Sequence, residues 1–233
     1  MNDNNINDPK IKIEGKPKYI NIGNGQSFFE LFRKIEKSFS NCFLFESLGE
    51  ESNISRYHII GFDPKYLLYS QDKSELILEN TKSAEKHKFT CENPYLKLRD
   101  IIPQNVISRK YAGGLVGFIS YDSINYFENY LNIKKNENFE CFKFGIFLDG
   151  LIYDQMTGEI FYYFYEESRI TEIEKILNKK LSLNKNVKTK FLRDSMTKEE
   201  HRKTVLKIKD DIKNGLIFQC EVGFKSHYEI EGD

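Results

Sequence analysis

The chain has 233 residues and no formal net charge, since 35 lysines and arginines balance 35 aspartates and glutamates. This balance argues against a nucleic-acid or anionic-membrane partner, and no apolar run is long enough to span a bilayer. Hydrophobic residues make up 39% of the chain, enough for a buried core, and 19 Phe and 14 Tyr supply its aromatic part.

The amino terminus and the cysteines indicate a cytoplasmic protein. Residues 1–10 are polar and lack the hydrophobic segment of a signal peptide. The four cysteines are scattered without a C-x-x-C pair, so free thiols in a reducing compartment are expected. The four histidines show no ligand spacing, and we expect no metal site within this chain.

Short strands and helices follow one another without a βαβ rhythm, which predicts an α+β fold with antiparallel sheets. A capping box at Ser27 and Glu30 begins the first helix, and Asn93-Pro94 begins the second. Strands are predicted at 18–22, 42–47, 56–62, 66–70, 75–79, 113–119, 142–154 and 159–165, and helices at 27–39, 93–103, 168–179 and 197–214.

The stretch 111–128, YAGGLVGFISYDSINYFE, places three glycines within an apolar run. Gly113, Gly114 and Gly117 follow neither the dinucleotide fingerprint nor the P-loop order, so a phosphate cradle is not favoured. Glycine inside a strand usually marks a close approach of another backbone. We interpret the run as a buried strand crowded by its neighbours, entering a short helix capped by Asp122.

The carboxyl-terminal part predicts a second domain. Residues 181–193 are rich in Lys and Asn and have no periodicity. Beyond them, Thr197 and Glu200 form a capping box, and residues 216–224 alternate as a strand with Gln219 and Glu221 on its polar face. The predicted division is a disordered segment 1–17, a domain 18–180, a linker 181–194 and the start of a second domain 195–233.

Three stretches, in this order and at these distances, resemble the amino-terminal half of anthranilate synthase component I, within the chorismate-using enzymes. The first is Leu-Phe-Glu-Ser at 44–47, with Arg56 and Tyr57 after it. The second is the glycine run 113–122, and the third is the helix end Gly-Leu-Ile-Phe-Gln at 215–219. The resemblance covers the chain from about residue 18 to its end.

The resemblance implies an α/β sandwich of two interleaved domains built on antiparallel sheets. It implies conversion of chorismate and ammonia to anthranilate and pyruvate, a lyase reaction of tryptophan biosynthesis that uses magnesium. The ammonia comes from a glutamine amidotransferase subunit, and tryptophan inhibits by feedback.

The resemblance also assigns Glu46, Ser47 and Arg56 to the tryptophan-binding site. An amino acid offers an ammonium to a carboxylate and a carboxylate to a guanidinium, so these residue types suit the ligand. The alternative interpretation is a surface ion pair of Glu46 and Arg56 that contributes little to stability.

Gln219 aligns with a position that is a lysine base in water-using relatives. A glutamine amide takes no proton at neutral pH, and ammonia needs no deprotonation to attack carbon, so the residue fits an amine nucleophile. The alternative is a solvent-facing side chain on a half-buried strand. Glu221 departs from the apolar residue common at its position in the family.

The family's magnesium ligands and other catalytic residues are expected beyond the motif that contains Gln219. The 233 residues are therefore expected to be a truncated chain that is inactive alone. Two rival functions stay open: aminodeoxychorismate synthase component I of folate synthesis, which also carries this glutamine, and a non-catalytic module that senses tryptophan or docks an amidotransferase.

Overall fold

A computed structural model gives the architecture for residues 11–13, 15–47, 49, 55–72, 74–102, 113–128, 130–131, 133–134, 137–181 and 186–232. The chain divides into two compact units, Met1–Lys180 and Leu181–Asp233. We call them the larger unit and the smaller unit.

The secondary structure is mainly short strands. They are β1 (Lys18–Asn24), β2 (Cys42–Phe45), β3 (Tyr57–Phe62), β4 (Tyr66–Ser70), β5 (Glu75–Asn80), β6 (Lys86–Thr90), β7 (Gly114–Ile119), β8 (Phe142–Phe147), β9 (Asp149–Asp154), β10 (Glu159–Phe164), β11 (Lys188–Asp194) and β12 (Ser226–Glu231). The helices are α1 (Phe28–Glu36), α2 (Pro94–Ile101), α3 (Ile170–Leu177) and α4 (Lys198–Lys213), with a 3-10 helix at Tyr121–Tyr126.

Two five-stranded sheets form the larger unit. Sheet I has the order β1-β10-β9-β3-β2, and sheet II has the order β6-β5-β4-β8-β7. Every neighbouring pair in the two sheets is antiparallel. The α+β fold with antiparallel sheets that the sequence predicts is therefore confirmed. Strand β6 was not predicted.

Helices α1 and α3 cover one face of sheet I. Helix α1 begins after Ser27, whose Oγ accepts a backbone N–H of the first turn. Leu31 and Ile35 of α1 and Ile173 of α3 are buried against Tyr162 of β10. Burying apolar side chains of this size stabilises the layer by about 1.5–3 kcal/mol each.

Helix α2 covers sheet II in the same way. The Asn93 side chain accepts two N–H groups of the first turn, and Leu98 and Ile101 are buried in the second core. Ile11 is buried beside them, and its N–H donates to the Ile101 carbonyl at 3.1 Å. Disorder was predicted for 1–17, so Ile11 corrects that prediction; residues 1–10 and 14 lie outside the described residues.

The chain passes between the sheets at two places. It leaves sheet I through residues 63–65, between β3 and β4, and returns through Leu148, between β8 and β9. The single strand predicted over 142–154 is therefore wrong. Strand β8 pairs with β4 and β7 in sheet II, whereas β9 pairs with β3 and β10 in sheet I.

The glycines of β7 permit close packing. A Cβ on Gly117 would stand 1.9 Å from the Lys143 carbonyl oxygen of β8. Gly113 has φ +76°, and a Cβ there would stand 2.1 Å from the Phe147 carbonyl oxygen. The close packing predicted for the glycine run is confirmed at Gly113 and Gly117. The prediction of a buried strand with neighbours on both sides is wrong, because β7 is an edge strand that pairs with β8 among the described residues and is exposed over residues 117–119. The predicted cap differs, since Ser120 and not Asp122 precedes the 3-10 helix.

The smaller unit contains α4 and the antiparallel pair β11–β12. The capping box of Thr197 and Glu200 is formed in both directions, and Gly215 follows the helix with φ +73°. Strand β11 lies within the segment 181–194, for which a linker was predicted; residues 182–185 are outside the described part.

The strand predicted at 216–224 is wrong. This stretch has no regular secondary structure, and β12 begins only at Ser226. An alternating apolar pattern forms a strand when neighbouring strands take its N–H and C=O groups. Within the described residues, β11 pairs with β12, and no strand pairs with 216–224.

Candidate functional site

One end of sheet I brings together the residues that the sequence assigns to a ligand site. Phe45, the last residue of β2, is opposite Ile59 of β3, and Tyr57 of β3 is opposite Asp154 of β9. Glu46 and Ser47, which follow β2, and Arg56, which precedes β3, therefore lie at the same end. Residues 48 and 50–54, which connect them, are outside the described part.

The guanidinium of Arg56 is hydrogen-bonded to the carboxylate of Asp154. Its Nε lies 2.9 Å and 3.0 Å from the two carboxylate oxygens, and an Nη lies 2.6 Å from one of them. Asp154 is 5% exposed. The hydrogen bonds that Arg56 donates hold the pKa of Asp154 below its usual range, and the same bonds raise the pKa of Arg56. This is a bidentate, charge-assisted pair.

Glu46 faces His58 instead of Arg56. A Glu46 carboxylate oxygen lies 3.7 Å from His58 Nδ1. The His58 ring lies edge-on to Phe28 of α1 and to Tyr153 of β9, at centroid distances of 6.0 Å and 5.4 Å. This cluster of Glu46, His58, Phe28 and Tyr153 lies on the α1 side of sheet I.

The two charges predicted to share a ligand are turned to opposite faces of the sheet. Tyr153 and Asp154 are successive residues of β9, so their side chains point to opposite faces. Glu46 lies with Tyr153 and Arg56 lies with Asp154. A ligand carboxylate would reach the Arg56 guanidinium only by displacing Asp154.

Ser47, which follows Glu46, is tied to the backbone of β3 and to the turn after β9. Its Oγ donates to the Tyr57 carbonyl at 3.4 Å. The Gln155 side-chain amide donates to the carbonyl oxygens of Ser47 and Ser55. The Gln155 N–H donates to the Arg56 carbonyl at 2.9 Å. These bonds fix the ends of β2 and β3 relative to the turn after β9.

Gln219 lies in the smaller unit, in the irregular stretch after α4, and is exposed. Its neighbour Phe218 is 94% exposed and Leu216 is 72% exposed. His201 of α4 contacts this stretch, with Nε2 3.3 Å from the Val222 carbonyl oxygen. In this arrangement the Gln219 amide is open to a ligand and is not enclosed by a cavity.

A buried charge network lies at the crossover between the sheets. Arg169 donates to both oxygens of Asp149, at 3.0 Å and 2.9 Å, and to Asp63 at 2.6 Å. Tyr162 also donates to Asp149, at 2.9 Å. Burial raises the pKa of the Asp149 carboxyl, and its bonds with Arg169 oppose that shift. The donors satisfy the charges, so this network holds structure together.

The described residues contain no group of three or more His, Cys, Asp or Glu side chains that could hold a metal ion. Where the structure describes helices, none has the length and hydropathy needed to cross a membrane.

The family follows from the sequence comparison. Residues 40–233, most of both units, match the family described as chorismate binding enzyme. The chain belongs to this family. The membership predicted from the three sequence stretches is confirmed.

Relatives in the chorismate binding enzyme family carry a common name. The chain is 39% identical over 230 residues to anthranilate synthase component 1 of Leptospira biflexa, covering 97% of this chain and 48% of that protein. It is 30% identical over 205 residues to anthranilate synthase component 1 of Methanothermobacter thermautotrophicus, covering 88% of this chain and 43% of that one. The chain thus spans about half the length of these relatives.

The solved structure of anthranilate synthase component I from Streptococcus pneumoniae TIGR4 is also similar. The TM-score is 0.45 at 19% sequence identity, and the match covers 72% of this chain and 40% of that one.

Sequence reasoning missed His58, Tyr153 and Asp154 at the site. Alternation would have placed His58 on the face of Arg56, two residues earlier, whereas the structure puts the two side chains on opposite faces. The partners on β9 could not be found in this way, because they depend on the pairing of β3 with a strand nearly 100 residues later in the chain.

Proposed function

We propose that this chain is the amino-terminal part of an anthranilate synthase large subunit, which converts chorismate and ammonia to anthranilate and pyruvate. The observation that carries the proposal is the 39% identity with anthranilate synthase component 1 of Leptospira biflexa over 97% of this chain. The second relative described above bears the same name, which favours anthranilate over aminodeoxychorismate as the product.

In this proposal the larger unit supplies an effector site for tryptophan. Glu46 accepts hydrogen bonds from the ligand ammonium, and Ser47 lies beside it at the end of β2. Arg56, on the opposite face, orders the strand end through Asp154 and would contact the ligand carboxylate only after leaving this partner and turning around the end of the sheet. An exposed ion pair would contribute little, whereas Asp154 is buried and held by two nitrogens of Arg56.

The smaller unit supplies Gln219 on the nucleophile side of the reaction. An amide can accept a hydrogen bond from ammonia and donate one to the substrate, and it takes no proton. Magnesium, bound by carboxylates outside these 233 residues, would stabilise negative charge on the substrate. The amidotransferase subunit would deliver ammonia from glutamine.

The test of the activity combines this chain with the part of the Leptospira biflexa relative that lies beyond the matched region. With chorismate, Mg²⁺ and ammonium, the pair should produce the fluorescence of anthranilate, and this chain alone should not. Gln219→Ala should lower kcat/KM for ammonia by about tenfold or more, since one polar contact at a reacting centre is lost.

Cys220→Ser is the matched control, because Cys220 is the exposed neighbour of Gln219. Its kcat/KM should equal that of the wild type. Absence of anthranilate from a folded, associated pair of chains would count against the proposal.

A further inference from the structure

His58 is an imidazole buried without a hydrogen-bond partner in the described structure. Its side chain is 14% exposed, and neither ring nitrogen reaches solvent or a hydrogen-bonding atom of the described residues. An unpaired buried polar group of this kind destabilises the folded state. Glu46 lies 3.7 Å from Nδ1, which is too far for a hydrogen bond but close enough for an ion pair.

The surroundings of the ring are otherwise aromatic. Phe28 and Tyr153 stack on each other with centroids 5.8 Å apart, and both lie edge-on to His58. Because these rings exclude water, an ion pair between His58 and Glu46 would be screened less than a pair on the open surface.

Among the described residues, Glu46 is the charged group that faces His58 from the elements packed on it. Tyr153 presents a phenol from β9, and α1 presents Phe28 together with its amino-terminal end. The first-turn carboxylate Glu30 is exposed. The remaining charges of these elements are engaged elsewhere: Arg56 with Asp154, Arg33 with Glu36, Lys34 with the Leu177 carbonyl, and Asp149 of β9 with Arg169.

We propose that His58 is a further residue of the effector site, which competes with the ligand for Glu46. Protonated His58 holds the Glu46 carboxylate in an ion pair. Neutral His58 releases that carboxylate to the ammonium of an amino-acid ligand. This inference rests on the effector role of Glu46 proposed above.

The competition links ligand affinity to pH. An imidazole changes its charge between pH 5 and 8, and the ammonium of a free amino acid stays charged across this range. If only the neutral ring leaves Glu46 available, the apparent affinity falls by the fraction of molecules in that state. At a pH where about one molecule in ten has a neutral His58 ring, the ligand should bind about tenfold more weakly than to a fully neutral population.

The first experiment measures the Kd of L-tryptophan for this chain by calorimetry at pH 5.5 and pH 7.5. The wild type should bind more weakly at pH 5.5 than at pH 7.5. His58→Gln should bind equally at both pH values, and His87→Gln, which removes an exposed histidine on β6, should keep the wild-type difference. A pH difference that persists in His58→Gln overturns the inference.

The second experiment needs no ligand. The urea concentrations at the midpoint of unfolding are compared at both pH values for the wild type, Glu46→Gln, His58→Gln and the double variant. At pH 5.5 either single substitution should lower the midpoint, and the second should add nothing, because the pair is already broken. At pH 7.5 this coupling should vanish.

The two experiments separate the inference from the proposed function. Tryptophan binding with additive effects of the two substitutions at pH 5.5 overturns the role of His58 and leaves the effector site in place. Coupling without tryptophan binding at either pH overturns the effector role of Glu46, and with it the competition.

Discussion

At the scale of single residues, partner choice decides what the candidate site can do. Glu46 and Arg56 are near each other in sequence and could have formed an ion pair. Because side chains alternate between the two faces along β9, Asp154 forms an ion pair with Arg56 on one face, and Tyr153 contacts the His58 ring on the other. The carboxylate of Glu46 is thereby left to interact with a cation.

Asp154→Asn tests the pairing of Arg56. The pKa of Asp154 is lowered in the folded protein, so the resulting stabilisation is complete above the ordinary aspartate value of about 4 and is lost as the pH falls through the lower folded value. The urea midpoint of the variant should be lower than that of the wild type at pH 6. The difference should shrink between pH 5 and pH 3.

Asp100→Asn is the control for this prediction. It removes the same charge from a carboxylate that is 59% exposed and lies 3.6 Å from Lys97 Nζ. Its midpoint should stay close to the wild-type value across the range. A constant difference between Asp154→Asn and the wild type down to pH 3 would contradict the pairing.

At the scale of elements, local signals in the sequence placed most strands and helices. The caps at Ser27, Asn93 and Thr197 are local, and each side chain caps its helix as predicted. At Ser27 the structure gives one half of the predicted capping box, in which Oγ accepts the Glu30 N–H. The errors arose where pairing between distant segments decides the outcome. Leu148 divides an apparently continuous strand because its two halves find partners in different sheets, and 216–224 stays irregular because no described strand pairs with it.

The same difference between local and distant contacts decided which residues of the candidate site could be predicted. Residues of one local stretch, such as Glu46 and Ser47, could be named from the sequence. Their surroundings could not, because His58 and Tyr153 meet only through the register of β3 and β9. The sequence therefore predicted which residue types are present at the site but not which of them share a face.

Gly117→Ala tests the crowding of β7 against β8. The added Cβ would stand 1.9 Å from a carbonyl oxygen of the neighbouring strand, so the ladder must shift. We expect the free energy of unfolding to fall by about 1–3 kcal/mol, as for other overpacked sites. Gly223→Ala is the control, because nothing lies within 4 Å of the added atom. Equal stability of the two variants in urea would show that β7 is not crowded.

At the scale of the whole molecule, the buried charges of Arg169 secure the larger unit. Arg169 precedes α3, while Asp63 and Asp149 belong to the two places where the chain changes sheets. One side chain therefore ties the helical layer to both crossovers.

Asp149→Asn tests the contribution of the Arg169–Asp149 pair to stability. Removing one partner leaves the Arg169 charge with fewer acceptors in a largely buried place, and the free energy of unfolding should fall by about 3 kcal/mol. Arg169→Met alone should be similarly harmful, and the double variant should lose less than the sum of both. Additive losses in urea unfolding would mean that the two residues act independently.

The return of the chain through Leu148 also limits how the larger unit can be divided. Strands β8 and β9 are joined by this one residue yet hydrogen-bond in different layers. Sheet II is built from one continuous stretch, β4 to β8, whereas sheet I combines β1–β3 with β9 and β10, which follow that stretch. A protein cut at Leu148 would yield one piece with all of sheet II and three strands of sheet I, and a second piece that carries β9 and β10 without the rest of their sheet. Fragment complementation should therefore begin from the exposed β9–β10 turn, where both flanking strands belong to one layer.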